Sequence, residues 1–202
     1  MNNRLLSLLA ASAILACGAA QATEVSSLTN ATTYEFGSSN YFGGAAHTVA
    51  PGITWTSAAS NSVYGYTGGY GFGGNSYWSG QSMIGSNSGT AAMTISFANA
   101  VSGVGMLMNY APGYGTAVVD AYDSANNLLD TYTLTFGNSA VNGGEFVGFQ
   151  ESSADISYLT MSGAYIGGAH LEVSAVPETS NLALLVAGLG LMGVVARRRK
   201  QA

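Results

Sequence analysis

The basic residues of this 202-residue chain all lie at its two ends. One is Arg4, and the other four are Arg197, Arg198, Arg199 and Lys200. All ten acidic residues lie between Glu24 and Glu178. A domain folded from this middle part has no lysine or arginine for ion pairs, so apolar burial and backbone hydrogen bonds must stabilise it. Its acidity also repels nucleic acid and anionic headgroups, which excludes nucleic acid as a partner.

The N-terminus is typical of a secretory signal peptide. Arg4 precedes an apolar run over residues 5–16, and Ala20-Gln21-Ala22 forms a small-x-small cleavage site. The pattern predicts a signal peptide over residues 1–22, use of the secretion machinery, and cleavage between Ala22 and Thr23. An alternative cut that leaves Cys17 as a lipidated first residue stays open. On the first interpretation the mature chain has no cysteine and therefore no disulfide.

The C-terminus carries an apolar run followed at once by the basic cluster. Residues 182–196 contain no charge and form a fifteen-residue stretch, which as a helix is about 22 Å long. That length crosses a bilayer only with help from flanking polar residues and snorkelling arginines. Cations at residues 197–200 favour a cytoplasmic end, which leaves the acidic body outside. The alternative is a buried C-terminal helix of the domain core.

The order of parts in the last 27 residues carries a resemblance. Val176, Pro177 and Glu178 precede the apolar stretch and the basic stop of Arg197, Arg198, Arg199 and Lys200. This arrangement resembles the PEP-CTERM sorting signal of Gram-negative, exopolysaccharide-producing bacteria, although Thr179 stands where that family usually has a second proline. The resemblance implies recognition by an exosortase-like membrane transpeptidase, processing near Pro177-Glu178, and delivery to the cell surface or extracellular matrix. The sorting signal would occupy residues 176–202.

Residues 23–175 have the length of one domain and the pattern of strands. Between 117 and 122 apolar and polar positions alternate, residues 123–127 are turn formers, and alternation resumes up to 136. This predicts a β-hairpin over 117–136. Further strands are expected at 32–36, 53–56, 91–97, 103–108, 145–149, 156–161 and 169–174. Short strands at this spacing favour an all-β fold, an antiparallel β-sandwich, with no sustained helical periodicity.

The second half of the chain carries a weaker resemblance. The runs 97–105, 121–123, 146–149 and 156–163 are similar to jelly-roll passenger domains that precede this sorting signal, which are themselves similar to galactose-binding-type lectin sandwiches. That similarity implies a jelly-roll-like topology. Such domains often end with an Asp-Asn pair on the last strand, where this chain has Ala169-His170.

Residues 63–80 are rich in aromatic side chains separated by glycines. The candidate binding residues are Tyr64, Tyr66, Tyr70, Tyr77 and Trp78. One interpretation is a platform of exposed rings that stack on sugars of an exopolysaccharide, since exposed aromatic side chains gain contact area at low entropic cost. The other is that the rings alternate into the core while the glycines turn the chain. Both interpretations stay open.

Catalytic and metal-binding patterns are absent from the sequence. His47 and His170 are the two histidines, no nucleophile-elbow or metalloprotease motif occurs, and each histidine is expected at a strand surface. Asp120, Asp123 and Asp130 flank the predicted hairpin and could hold a structural calcium ion, but a solvated acidic face is the favoured interpretation. We therefore expect no enzyme activity, no cofactor and no required metal.

Taken together, the sequence predicts an exported, non-enzymatic protein of the cell surface or matrix. It would pass through an inner-membrane intermediate held by its C-terminal helix. The favoured role is structural or adhesive, and the alternative is a carbohydrate-binding module that recognises exopolysaccharide.

Overall fold

The computed structural model describes residues 22–174. The predicted signal peptide up to Gln21 and the predicted sorting signal lie outside the described residues. Within the described part of the chain, no helix is both long enough and apolar enough to cross a bilayer.

The described residues form sixteen strands and one short 3-10 helix, Pro112–Tyr114. In chain order the strands are β1 Thr23–Val25, β2 Thr32–Tyr34, β3 Tyr41–Phe42, β4 His47–Ala50, β5 Ile53–Ser57, β6 Val63–Tyr66, β7 Tyr70–Gly71, β8 Tyr77–Trp78, β9 Met83–Gly85, β10 Ala92–Val101, β11 Gly103–Asn109, β12 Ala117–Tyr122, β13 Leu128–Leu134, β14 Glu145–Gln150, β15 Ile156–Ser162 and β16 Gly167–Ser174.

The strands build two large antiparallel sheets and one small hairpin. The eight-stranded sheet has the order β1-β14-β11-β16-β9-β6-β3, and β2 joins it by pairing with β16. The six-stranded sheet has the order β13-β12-β15-β10-β5-β4, and β7 pairs with β8 alone. All strand pairs are antiparallel. The expectation of an all-β fold with antiparallel sheets is therefore confirmed.

The main core lies between the two sheets, as in a β-sandwich. It contains Val104, Met106 and Phe149 from the eight-stranded sheet and Ile95 and Met161 from the six-stranded one, all fully buried. Along β10 and β15, buried residues such as Ile95 and Met161 alternate with more exposed ones, which is the burial pattern of strands with one covered face. Burial of this apolar surface supplies the stabilisation that a chain without lysine or arginine pairs needs.

The hairpin predicted over residues 117–136 is present as β12 and β13, with Ala117 opposite Leu134. Every other strand that the sequence predicts is also found, although β2 is shorter than expected and β10 runs on to Val101. The sequence analysis missed β1, β3, β4 and the short strands between residues 63 and 85. Most of these have four residues or fewer, too few for an alternating pattern to be recognised.

The histidine of the last strand forms a close pair with a carboxylate. His170 Nδ1 lies 2.6 Å from Glu35 Oε1, just past the end of β2, and both side chains are about half exposed. The contact reinforces the pairing of β2 with β16. His170 thus lies at a strand surface, as the sequence predicts, but it also has a specific partner.

Candidate functional site

The aromatic segment at residues 63–80 divides its rings between the core and the surface. Tyr64, Tyr70 and Trp78 are 6%, 7% and 0% exposed, whereas Tyr77 is 48% exposed and Tyr66 is half-buried. Of the two interpretations left open by the sequence, the burial of Tyr64, Tyr70 and Trp78 favours the core one for these three rings. Rings this enclosed expose little of their faces for stacking on a ligand.

A second apolar cluster explains the burial of Tyr70 and Trp78, whereas Tyr64 lies in the main core. Strand alternation in the β7–β8 hairpin directs Tyr70 and Trp78 to the covered face, where they pack on β9 and β16. The buried members of this cluster are Val63, Tyr70, Phe72, Trp78, Met83 and Ala169. Phe72 packs edge-on against Trp78, with ring centroids 4.9 Å apart.

The polar atoms of the buried rings are satisfied by backbone carbonyls. The Tyr64 hydroxyl donates to Thr48 O at 3.2 Å, and the Tyr70 hydroxyl donates to Ser86 O at 3.1 Å. Trp78 Nε1 donates to Gly143 O at 2.6 Å. Burial raises the pKa of both tyrosine hydroxyls above the usual value, and the nearby Tyr165 adds to the rise at Tyr70. These groups hold the hairpin in place and are not free for a ligand.

Buried asparagines attach the β7–β8 hairpin to the rest of the domain. Asn109, fully buried at the end of β11, donates to Asn75 O at 2.9 Å and accepts from Tyr110 N at 2.8 Å. The Asn75 side chain in turn donates to Phe136 O and accepts from Asn138 N. The sequence analysis missed both buried asparagines, because a polar residue beside glycines is also typical of a solvated turn.

The exposed aromatic rings gather beside this hairpin in a shallow depression, here called the aromatic groove. Its walls carry Phe42 from β3, Tyr66 from β6, Asn87 after β9, Tyr114 from the 3-10 helix, and Tyr165 from the turn between β15 and β16. Gly69, Gly71 and Gly73 form its floor. Tyr66 belongs to the predicted set of binding residues, and so does Tyr70, which also lines the groove although it is largely buried. The other rings come from distant parts of the sequence.

The groove consists of two adjoining hollows. The first, of about 230 Å³, is lined by Phe42 and Tyr66, and the second, of about 310 Å³, is lined by Tyr114. Gly71, Asn87 and Tyr165 line both hollows, so they mark a shared waist. Phe42 and Tyr114 are 58% and 60% exposed.

Each end of the groove carries a pair of rings in edge-to-face contact. The Phe42 and Tyr66 centroids are 5.5 Å apart at an interplanar angle of 72°. The Tyr114 and Tyr165 centroids are 5.0 Å apart at 74°. This geometry suits the quadrupoles of aromatic rings and fixes their orientation. Each pair therefore presents rings that are already positioned.

Two glycines make room for these rings. A Cβ atom at Gly68 would lie 2.3 Å from the Tyr66 hydroxyl, and one at Gly73 would lie 2.9 Å from Tyr114 Cε2. Gly73 also has a φ of +43°, which side-chain-bearing residues rarely adopt. The repeated glycines of residues 68–74 thus allow rings from elsewhere to lie directly on the backbone.

The backbone that carries Tyr165 is unusual. Gly163, Ala164 and Tyr165 all have positive φ, with values of 79°, 41° and 49°. For the non-glycine residues this conformation costs on the order of 1–3 kcal/mol each. Ala164 and Ile166 are fully buried on either side of Tyr165. Their burial stabilises a turn that holds the Tyr165 ring in the groove, and strained positions of this kind are concentrated at functional sites.

The lining of the groove is uncharged. None of its residues is acidic or basic. Asn87 lines both hollows, and its carboxamide carries two donors and one acceptor. The groove can therefore offer ring faces, tyrosine hydroxyls and one amide to a ligand.

The hairpin carboxylates do not come together. Asp120 pairs with Thr131 across the strands, whereas Asp130 pairs with Ala121, so the two side chains point to opposite faces of the sheet. Asp123 accepts from the Ala125 and Asn127 backbone amides and from the Asn127 side chain, which lowers its pKa. A calcium site made from these three residues does not form, and no group of three metal-ligating side chains occurs among residues 22–174.

A wider depression lies near the tip of this hairpin. It has a volume of about 1160 Å³ and includes Asp123, Leu128 and Asp155 in its lining. Asp155 accepts a hydrogen bond from Ser153. Phe97, itself buried, is the sole aromatic residue of that lining. This surface is the main alternative location for a ligand.

His47 takes part in ring packing. It stacks on Tyr64 with centroids 4.5 Å apart and an interplanar angle of 16°, and Tyr41 lies 4.2 Å away. The structure brings no acid or nucleophile to this ring among the described contacts.

A scan against protein-family models, a search of curated proteins and a search of solved structures find no significant match to this chain.

Proposed function

We propose that this chain is an exported protein of the cell surface or extracellular matrix whose β-sandwich binds carbohydrate through the aromatic groove and thereby acts as an adhesin or matrix component. The observation that carries the proposal is the set of four partly exposed rings at Phe42, Tyr66, Tyr114 and Tyr165, arranged as two edge-to-face pairs above a glycine floor.

The chemistry of the groove suits a sugar. A pyranose has C–H groups on its faces and hydroxyls at its edge, so it needs apolar surface below and hydrogen-bonding groups at the side. Ring faces supply the first, and the Asn87 amide with the tyrosine hydroxyls supplies the second. Concave sites with aromatic walls and a few polar groups are the usual form of small-ligand sites.

Export and sorting are proposed from the two ends of the sequence. We propose cleavage between Ala22 and Thr23 and processing by an exosortase-like transpeptidase near Pro177-Glu178, followed by delivery to the surface of a Gram-negative cell. Strand β1 begins at Thr23, so this cleavage leaves every strand intact. A jelly-roll-like connectivity related to lectin sandwiches is part of the same proposal.

Deletion of residues 182–202 tests the sorting proposal. We expect the truncated protein to leave the membrane fraction, because the uncharged stretch and the basic cluster supply the insertion and orientation signals. Cell fractionation with immunoblotting measures this. As a control, substitution of Ala202 alone should change nothing. Retention of the truncated protein in the membrane fraction would show that another part of the chain anchors it.

Removal of the exposed rings tests the binding proposal. Phe42→Ala and Tyr114→Ala should each weaken glycan binding by about 2- to 10-fold, as expected for losing about 0.5–1.5 kcal/mol of ring contact. The double variant should lose about 5- to 100-fold, and melting temperatures should change little because both rings are more than half exposed.

The assay is a glycan array followed by calorimetry on the full-length chain in a sugar-free detergent. Tyr77→Ala is the matched control, because Tyr77 is 48% exposed but does not line the groove. Absence of binding to every glycan would contradict the carbohydrate proposal and leave a purely structural role. Equal losses in the control and the groove variants would place the site elsewhere.

A further inference from the structure

We propose that the aromatic groove binds an internal segment of a neutral, linear polysaccharide, with adjacent sugar units in its two hollows. This inference rests on the proposed carbohydrate binding and specifies the ligand class. Its basis is the division of the groove into two adjacent hollows, the first lined by the Phe42–Tyr66 pair and the second by Tyr114, with Tyr165 shared between them.

The shared waist argues for a ligand that extends through both hollows. Gly71, Asn87 and Tyr165 line both of them, so the two hollows lie side by side on the surface. Each hollow is close to or below the lower limit of about 300 Å³ for typical small-ligand pockets. A single sugar therefore occupies one hollow, whereas an extended chain occupies both.

The exposure of the terminal rings argues for an internal segment of a chain. Phe42 lines only the first hollow and Tyr114 lines only the second, so they mark opposite ends of the groove. Both rings are more than half exposed. A polymer can thus continue past them in either direction, while a site for a chain end would need a wall there.

Charge determines the class of sugar. The described residues contain no lysine or arginine that could pair with a carboxylated or sulfated sugar, and the groove lining has no acid that could pair with an amino sugar. The acidic body also repels anionic polymers over a Debye length of about 8 Å at physiological ionic strength. Neutral sugars avoid this repulsion and use the ring faces fully.

The waist offers a direct structural test. A Cβ atom at Gly71 would meet no atom within 4 Å, and the residue does not have a positive φ. A leucine there would occupy open space beside both hollows without displacing the backbone. Gly137 has the same open surroundings but lies outside the groove, which makes Gly137→Leu the matched control.

The experiment measures affinity against chain length. The probes are linear glucan, mannan and galactan oligosaccharides of one to six units, with oligogalacturonates as the charged comparison, and the full-length chain is titrated by calorimetry. For at least one neutral series we expect affinity to rise 10-fold or more between one unit and the length that spans both hollows, and then to level off. Gly71→Leu should weaken hexasaccharide binding by at least 10-fold and leave monosaccharide binding within about 3-fold.

The outcomes separate the two proposals. If no glycan binds, the carbohydrate function itself is wrong. If a monosaccharide binds as tightly as the hexasaccharide, or if oligogalacturonates bind more tightly than every neutral series, the function stands but the two-hollow inference is overturned. Full hexasaccharide binding by Gly71→Leu would also overturn it, and Gly71→Ala provides a smaller obstruction if the leucine variant does not fold.

Discussion

Trp78→Ala is expected to lower the free energy of unfolding by about 3–5 kcal/mol, the range for truncating a buried aromatic side chain. Trp78 is fully buried against Phe72 and donates a hydrogen bond to Gly143 O. Its removal leaves a cavity in the second apolar cluster and deprives the carbonyl of a donor. The melting temperature should fall by roughly 6–20 °C in a domain of this size.

Tyr77→Ala is the control for this prediction, because Tyr77 is the preceding residue on the same short strand and points to solvent. It should change the free energy of unfolding by no more than about 0.5 kcal/mol. Chemical denaturation of the three proteins measures both effects. A Trp78→Ala variant as stable as the parent, with altered glycan binding, would mean that Trp78 belongs to a ligand site and not to the core.

Asn109→Ala is expected to destabilise the domain by about 2–5 kcal/mol. The Asn109 side chain is fully buried and bonds Asn75 O and the Tyr110 amide. Truncation leaves both backbone groups without this partner, and each buried unsatisfied group costs about 1–3 kcal/mol. The loss should appear in denaturation curves and as faster amide exchange in residues 70–78, because Asn109 attaches that hairpin to β11.

Asn99→Ala is the matched control for this change. Asn99 is exposed on β10, so its removal should have an effect within about 0.5 kcal/mol. If Asn109→Ala were no more destabilising than Asn99→Ala, the buried asparagine network would not be what secures the hairpin.

The regular part of the fold was predictable because its signals are local. Alternation over residues 117–122 and turn formers at 123–127 identify the β12–β13 hairpin directly, and the burial of Ala117, Val119 and Ala121 follows the alternation. The short strands between 63 and 85 were not predictable in this way. They have only two to four residues each, too few for a periodic pattern, and outside the β7–β8 hairpin they pair with strands farther along the chain, such as β9 with β16.

The sequence predicted which type of side chain forms the candidate site, but not which residues form it. The cluster of rings and glycines at 63–80 draws attention to this region, but composition does not tell which rings point inward. Phe42, Tyr114 and Tyr165 each stand apart in the sequence, and the fold alone brings them to the hairpin. Gly68 and Gly73 are a sequence signal that could have indicated the site, because an aromatic ring packs on each of them. Tyr66 packs on Gly68, and Tyr114 packs on Gly73.

Hydrogen-exchange mass spectrometry on the full-length chain, with and without a saturating neutral oligosaccharide, tests the central claim most directly. The account predicts that bound glycan slows exchange in peptides containing Phe42, residues 66–73, Asn87, Tyr114 and Tyr165, and leaves the β12–β13 hairpin tip unchanged. Protection confined to the depression near Asp123 and Asp155, or no protection despite measured binding, would contradict the assignment of the aromatic groove as the binding site.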